Sequence, residues 1–289
     1  MIASGDLSAP NQEFLELAQR CVAEDLGEGD PTGASVGNRQ IEVAFVARDA
    51  GTVAGLAGME AILEVAAHRL DGIEAHLVLE VSDGEAIKPG EVLGRIRGAA
   101  PVVLAAERPM LNLLCHLSGI ATLTAKFVEA VQGSGAIIRD TRKTLPGLRH
   151  VEKYAVRCGG GQNHRMGLYD AILIKDNHVA ALGGISAAVA AARIAAPGLP
   201  LEIEVDTHQQ LEEALAVGCD LVLLDNMTIK DLQAAVATAK GRARTEASGG
   251  VSLATAAAIA STGVDFIAVG ALTHSAPSLD IGLDWTNSA

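Results

Sequence analysis

Aromatic side chains are nearly absent: one Trp, two Tyr and four Phe make up 2% of the 289 residues, so the apolar 49% is almost wholly aliphatic. Such a core of Ala, Val, Leu and Ile suits helices packed on parallel strands and argues against disorder. Cysteine is scarce too. Cys21, Cys115, Cys158 and Cys219 are 94, 43 and 61 residues apart with no Cys-x-x-Cys, which excludes a zinc knuckle or disulfide framework and predicts reduced thiols in the cytoplasm. Met1–Pro10 lacks the basic and apolar regions of a signal peptide, and the Ala-rich stretch 179–200 is interrupted by Arg193, so neither export nor a membrane span is expected. Positive charge is also short. A net charge of −13 disfavours nucleic acid as a partner, which needs a basic footprint. The length admits two domains or one large α/β domain, with a core that needs no covalent staple.

What is there is unevenly placed. Residues 139–178 hold eight Lys or Arg against four Asp or Glu, a local +4 that leaves −17 for the rest. A cationic island in an acidic chain reads as a focused pocket for a small polyanion, or else as an accidental cluster on a helix face.

The first hundred residues alternate helical patterns (13–26, 59–70) with strand patterns (41–46, 75–81), which fits an α+β sandwich. Ile87 to Leu93 reads as a Pro-Gly turn joining two short strands in a structural hairpin; Lys88 precedes the turn, so a carrier-domain lysine is disfavoured. Residues 101–131 predict one helix ending near Leu117 and a second from Ile120, split by Ser118-Gly119. Beyond them, six short apolar strands each precede a helix: 136–139, 171–174, 201–205, 221–224, 243–247 and 266–269. That repetition predicts a parallel sheet, either a barrel, incomplete or closed, or a doubly wound sheet.

Each of these strands ends in polar residues or glycine, and parallel strands aim their C-terminal ends into one mouth, where α/β barrels place their active sites. Ser248-Gly249-Gly250 precedes a helix and lets a phosphate reach backbone N–H groups; Gly270-Ala271 offers a second such turn beside it. Glu204 and Asp225 end consecutive strands, within reach of sugar hydroxyls or hydrated Mg²⁺; an acid/base pair, or simple caps for the following helices, are the other readings. Arg142, Lys143, His164, Arg165 and Lys175 form the cationic side, able to clamp a dianion. Arg149, Lys153 and Arg157, four residues apart, suit a solvent-facing helix stripe and are left outside the site; Gly159 to Gly161 suggest a flexible loop.

These residues carry a resemblance. Glu24-Asp25-Leu26-Gly27-x-Gly29-Asp30-x-Thr32, Glu107-Arg108-x-x-Leu111-Asn112, Ser118-Gly119-Ile120-Ala121-Thr122, Asp140-Thr141-Arg142-Lys143-Thr144-x-Pro146-Gly147, Gly159-Gly160-Gly161-x-Asn163-His164-Arg165, Leu224-Asp225-Asn226 and Glu246-Ala247-Ser248-Gly249-Gly250-Val251 resemble the quinolinate phosphoribosyltransferases. The resemblance implies an N-terminal α/β sandwich over residues 1–117 and an incomplete six- to seven-stranded α/β barrel over 118–277. Residues 278–289 then return to the first domain. It further implies a cytoplasmic enzyme of NAD biosynthesis that transfers a phosphoribosyl group from phosphoribosyl pyrophosphate to quinolinate with decarboxylation. It would use Mg²⁺, in a homo-oligomer, a dimer or higher, whose sites are shared between subunits. Carried over residue by residue, Arg108 of a neighbour, Arg142, His164 and Arg165 would bind the two carboxylates, with Thr141 among the substrate contacts. Lys143, Lys175, Glu204 and Asp225 would be catalytic, the last two holding ribose hydroxyls and Mg²⁺, and Ser248, Gly249, Gly250, Val269, Gly270 and Ala271 would take the 5-phosphate. A paralogue associated with molybdate transport, a phosphosugar isomerase or aldolase with Lys175 as Schiff-base lysine, and a non-catalytic binding module are the competing readings.

Overall fold

The computed structural model describes residues 7–286; the outermost residues of the expected terminal segments, 1–6 and 287–289, lie outside the described residues. The N-terminal part comprises α1 (Asn11–Leu26), α2 (Pro31–Val36), β1 (Gln40–Ala47), β2 (Gly51–Thr52), α3 (Leu56–Arg69), β3 (Ala75–Leu79), β4 (Ala86–Ile87) and β5 (Val92–Ala99). Helix α1 forms because Phe14, Leu17, Ala18 and Val22 recur at helical spacing and bury one face. It packs with α3 and the next helix, α4 (Ala100–Ala130).

Helix α4 corrects the expected pair of helices: it runs unbroken through Ser118-Gly119. Both residues are wholly enclosed, and the Ser118 hydroxyl accepts from the Ala54 amide at 3.1 Å, so tertiary contacts hold the turn that local propensity would break. This helix is long and apolar enough to cross a membrane, yet more than half of its apolar window is buried inside the fold, as in a core helix. The expected hairpin is corrected as well. The turn forms, with Gly90 at φ +85° and the Glu91 amide bonded to the Lys88 carbonyl, but β4 pairs with β2 whereas β5 pairs with β1 and β3.

The remaining elements are β6 (Ile137–Arg139), α5 (Arg149–Cys158), β7 (Ile172–Ile174), α6 (Asp176–Leu182), α7 (Ile185–Ala195), β8 (Leu201–Val205), α8 (His208–Ala216), β9 (Leu221–Asp225), α9 (Ile229–Ala239), β10 (Arg244–Ser248), α10 (Leu253–Ala260), β11 (Phe266–Ala268), α11 (Ala271–His274) and β12 (Ile281–Trp285). Strands β6 to β11 form one parallel sheet in the order β6-β11-β10-β9-β8-β7, the six-stranded incomplete barrel anticipated. At its β6 edge the segment around Gln162 adds a ladder rung, its amide bonding the Ile138 carbonyl and its carbonyl accepting from the Asp140 amide. Strand β12 leaves the barrel and pairs antiparallel with β1, in the order β12-β1-β5-β3.

The glycine run 159–161 is a further correction. A Cβ on Gly159 would lie 2.4 Å from the Ala121 carbonyl oxygen, and one on Gly161 would lie 2.8 Å from Thr124 and Val156. The run serves close packing of α5 against α4, not looseness.

Candidate active site

Strand register decides which side chains share the barrel interior. In a parallel pair, residues directly opposite point to the same face, and residues two apart along a strand do likewise. Glu204 is opposite Leu223, which is opposite Glu246, which is opposite Phe266; Ser248 is opposite Asp225, and Ala268 is opposite Arg139. Glu202, Glu204, Asp225, Glu246, Ser248 and Arg139 therefore line one face, while Ile203 and Val205 face the helices. Asp225 and Ser248, as the last residues of their strands, sit at the mouth; Glu202, Glu246 and Arg139 form its floor.

At the mouth, the Lys175 ammonium donates to Glu204 Oε2 at 2.7 Å, leaving Oε1 open. Asp225 Oδ2 accepts from the Asn226 amide group at 2.6 Å, leaving Oδ1 open. Neither carboxylate caps a helix; Thr207 and Thr228 take those positions. Asn226 itself sits at φ +51°, and its backbone amide bonds the Ser248 carbonyl. Gly249 passes so close over Asn226 that a Cβ there would be 2.1 Å from its Oδ1, which ties the Ser248–Gly250 turn to the end of β9. On the other side, Lys143 lies against Gly270, and the Thr273 hydroxyl donates to the Lys143 carbonyl at 2.8 Å. Thr141 turns its hydroxyl back to accept from the Lys143 amide, shaping this loop. Val269 and Ala271 flank Gly270 where β11 passes into α11.

Arg142 and Arg165 are close enough to repel, and the carboxylates nearest Arg165, Asp170 and Glu202, offset its charge only from a distance. Among the described residues, neither has a carboxylate within ion-pair distance, and the Nε of each is buried with no hydrogen-bond partner. Burial, then the neighbouring Arg142 charge, presses the Arg165 guanidinium below its usual pKa. Two like charges held together in this way form a standing demand for an anion.

His164 is placed differently from the free cation expected. Its Nδ1 accepts from the Arg165 amide at 2.7 Å and its Nε2 contacts Glu202 Oε2 at 2.8 Å, so both ring nitrogens are engaged within the protein. Burial holds its pKa below the usual value. Arg108 is on α4 with its side chain 64% exposed, and among the described residues its ion pair is with Glu107, not with a residue of the mouth.

Sequence reasoning missed the floor. Arg139 Nη1 donates to Glu246 Oε2 at 2.5 Å, and His164 reaches Glu202 and, at 3.6 Å, Glu246. Oε1 of each glutamate is buried without a hydrogen-bond partner. Burial raises both carboxyls to about 7. Their ligand atoms and that of His164 fall within 4.8 Å of one another, but the Arg139 guanidinium already supplies the cation. The signal for this floor was charge at alternate positions of an apolar strand, Glu202 and Glu204 in Leu-Glu-Ile-Glu-Val. Arg149, Lys153 and Arg157 also correct the reading made from spacing alone: they point inward from α5, and Lys153 is fully buried against Asp140.

Comparison with known proteins agrees along nearly the whole chain. Residues 30–118 match the profile of the quinolinate phosphoribosyl transferase N-terminal domain, and residues 120–284 that of its C-terminal domain. A nicotinate-nucleotide pyrophosphorylase [carboxylating] of Mycobacterium leprae is 50% identical over 276 residues, covering 93% of this chain and 96% of that protein. A quinolinate phosphoribosyltransferase [decarboxylating] of Nicotiana tabacum is 39% identical, covering 95% of this chain and 83% of its own. The solved nicotinate-nucleotide pyrophosphorylase of Francisella tularensis superposes with a TM-score of 0.91 at 35% identity, covering 98% of this chain and all of that one.

Proposed function

The chain belongs to the quinolinate phosphoribosyltransferase family, and from that premise we propose how its residues carry the family's reaction. It transfers the phosphoribosyl group of phosphoribosyl pyrophosphate to quinolinate, releasing pyrophosphate and CO₂ and forming nicotinate mononucleotide for NAD biosynthesis. The observation that carries the residue-level reading is the pair Arg142 and Arg165, each with a buried Nε that has no hydrogen-bond partner, at one end of a mouth whose other end is lined by carboxylates and glycine turns.

The ring nitrogen of quinolinate attacks the anomeric carbon as the bond to pyrophosphate breaks. The resulting pyridinium draws electrons from the neighbouring carbon, so its carboxylate leaves as CO₂. No side-chain nucleophile is needed, and none is suited: burial raises every described cysteine thiol, Cys158 to about 12. Lys175, held by Glu204, is an ion-pair partner and not a Schiff-base amine. The protein's work is to bring two polyanions together and to hold them in line. Arg142 and Arg165 grip the dicarboxylate, Lys143 and Lys175 meet the charge on the leaving side, and the turns at Ser248–Gly250 and Val269–Ala271 offer amides to the 5-phosphate.

Glu204 Oε1 and Asp225 Oδ1 form an all-oxygen donor set that fits Mg²⁺, which binds a few carboxylates and keeps its waters. When bound there, Mg²⁺ would supply neutralisation of the pyrophosphate charge. A second copy of the chain completes the site: Leu168 and Tyr169, 72% and 70% exposed beside Arg165, and helix α6, with none of its residues buried, form an uncovered rim, while Arg108 is exposed and free to reach a neighbour.

Full-length protein mixed with quinolinate, phosphoribosyl pyrophosphate and Mg²⁺ is expected to form nicotinate mononucleotide and CO₂ in equal amounts, and nicotinate in place of quinolinate to give no product. Turnover of nicotinate at a comparable rate would overturn the dicarboxylate assignment.

A further inference from the structure

Helix α5 presents Arg149, Lys153 and Arg157 on one face; the first two are spent on the same two stretches of chain, and Arg157 divides its donors between one of them and the Ser8 carbonyl. The ammonium of Lys153 has three N–H groups, and all three are used, on Asp140 Oδ1 at 2.5 Å, the His164 carbonyl at 2.9 Å and the Arg165 carbonyl at 3.1 Å. Arg149 donates from one nitrogen to the Arg142 carbonyl at 3.5 Å, from another to the Met166 carbonyl at 3.1 Å, and from Nε to the Thr144 hydroxyl at 3.2 Å. Arg157 holds Asn163 Oδ1 at 2.8 Å, and Asn163 in turn donates to Asp140 Oδ2 at 2.6 Å. Asp140 also accepts from the His164 amide at 2.9 Å.

One of these stretches, 140–144, follows β6 and bears Arg142; the other, 163–166, follows α5 and bears Arg165. Two guanidiniums that make no ion pair repel in a partly buried setting, and apart from the Ala171 carbonyl, which accepts from Arg165 Nη1 at 3.2 Å, their spacing is set by the main chains that carry them. Those main chains are clamped to each other by donors from a single helix. We propose that Arg149 and Lys153 are positioning residues: they fix the separation of Arg142 and Arg165, and through it the preference of the site for two carboxylates on adjacent ring carbons. Neither touches the substrate. Arg149 is the more telling of the two, because its fork spans both stretches directly, and among the described residues it has no carboxylate partner whose loss would confuse the result.

This inference rests on the dicarboxylate reading above, and the experiment separates the two. Wild-type turnover of quinolinate is established first; its absence would count against that reading alone. Arg149→Met and Arg149→Lys are then compared in the full chain by steady-state kinetics for both substrates and by calorimetric binding of quinolinate. Displacement of a clamp residue by about 1 Å can cost roughly a hundredfold, so the quinolinate KM and dissociation constant are expected to rise roughly 10- to 100-fold in Arg149→Met. The KM for phosphoribosyl pyrophosphate should rise far less, by no more than roughly threefold, since Lys143 alone shares the clamped stretch while Lys175, Glu204, Asp225 and the glycine turns are held by separate contacts. Arg149→Lys, which keeps the charge but gathers its donors on one nitrogen where Arg149 spreads them over three, should show the same split and so serves if the Met variant folds poorly. Unchanged quinolinate affinity in either folded variant, equal rises in both KM values, or full rescue by Lys would overturn the proposal.

Discussion

Glu246 is where pH should act on this protein most directly. Its carboxyl is raised to about 7, first by burial and then by the neighbouring Glu202 charge, against an ordinary value of 4.5. A carboxyl that holds its proton more tightly folded than unfolded stabilises the fold below its unfolded value and loses that contribution as pH rises through its folded one. His164 works in the opposite sense, because its lowered value means that stability is lost as pH falls. A comparison of variants isolates the glutamate. In thermal melts of wild type and Glu246→Gln from pH 5 to pH 8, the stability difference should shift in favour of Gln by about 2–3 kcal/mol over that range. A difference that stays flat with pH would show that Glu246 is ionised throughout. At this scale the sequence revealed the mouth better than the floor. Arg142, Glu204 and Asp225 stand at or just beyond strand ends, where chemistry is expected, and Arg165 stands in a cationic run after the glycines, whereas Arg139, Glu202 and Glu246 show only as charges within apolar strand runs, whose partners across the barrel no linear spacing reveals.

Among the elements, α5 was the least legible. Its four-residue cationic spacing is the pattern of a solvated stripe, and only the packed structure shows that the stripe faces inward, Lys153 fully enclosed and Glu152 likewise. Periodicity finds a face without saying what covers it. The strands β6 to β11 were read within a residue or so of their ends because each is a short apolar run bounded by polar residues, while α4 was split in two because Ser-Gly is a breaker locally and a packing feature in context. Gly159 tests how α5 is seated. An alanine there would bring its Cβ to 2.4 Å from the Ala121 carbonyl oxygen, a backbone atom of α4 that cannot swing away. Gly159→Ala is expected to lower stability by about 1–3 kcal/mol in chemical denaturation, with quinolinate affinity falling alongside it. Wild-type stability would mean that α5 can slide along α4 without loss.

For the whole molecule, the question is whether one chain holds a complete site. Arg108 stands on α4, its side chain exposed and paired with Glu107, while the rim of the mouth leaves Leu168 and Tyr169 to solvent. If a neighbour supplies Arg108, mixtures of two inactive variants, Arg108→Ala and Glu204→Ala, should regain up to about a quarter of wild-type activity once subunits exchange, because some hybrid sites contain neither change. No recovery after proven exchange would show that Arg108 serves its own chain or none. The return of β12 to the first sheet was readable only through family resemblance, since residues 281–285 carry no signal of which sheet they will join. That return has a consequence for synthesis. Strand β1 emerges from the ribosome early, yet its β12 edge is covered only by a strand more than two hundred residues later; Arg48 and Asp284, which pair across it, are 236 positions apart. The nascent N-terminal sheet must wait with that edge bare until β12 has been made, and the exposed ladder is the point at which chaperones would have most to shield.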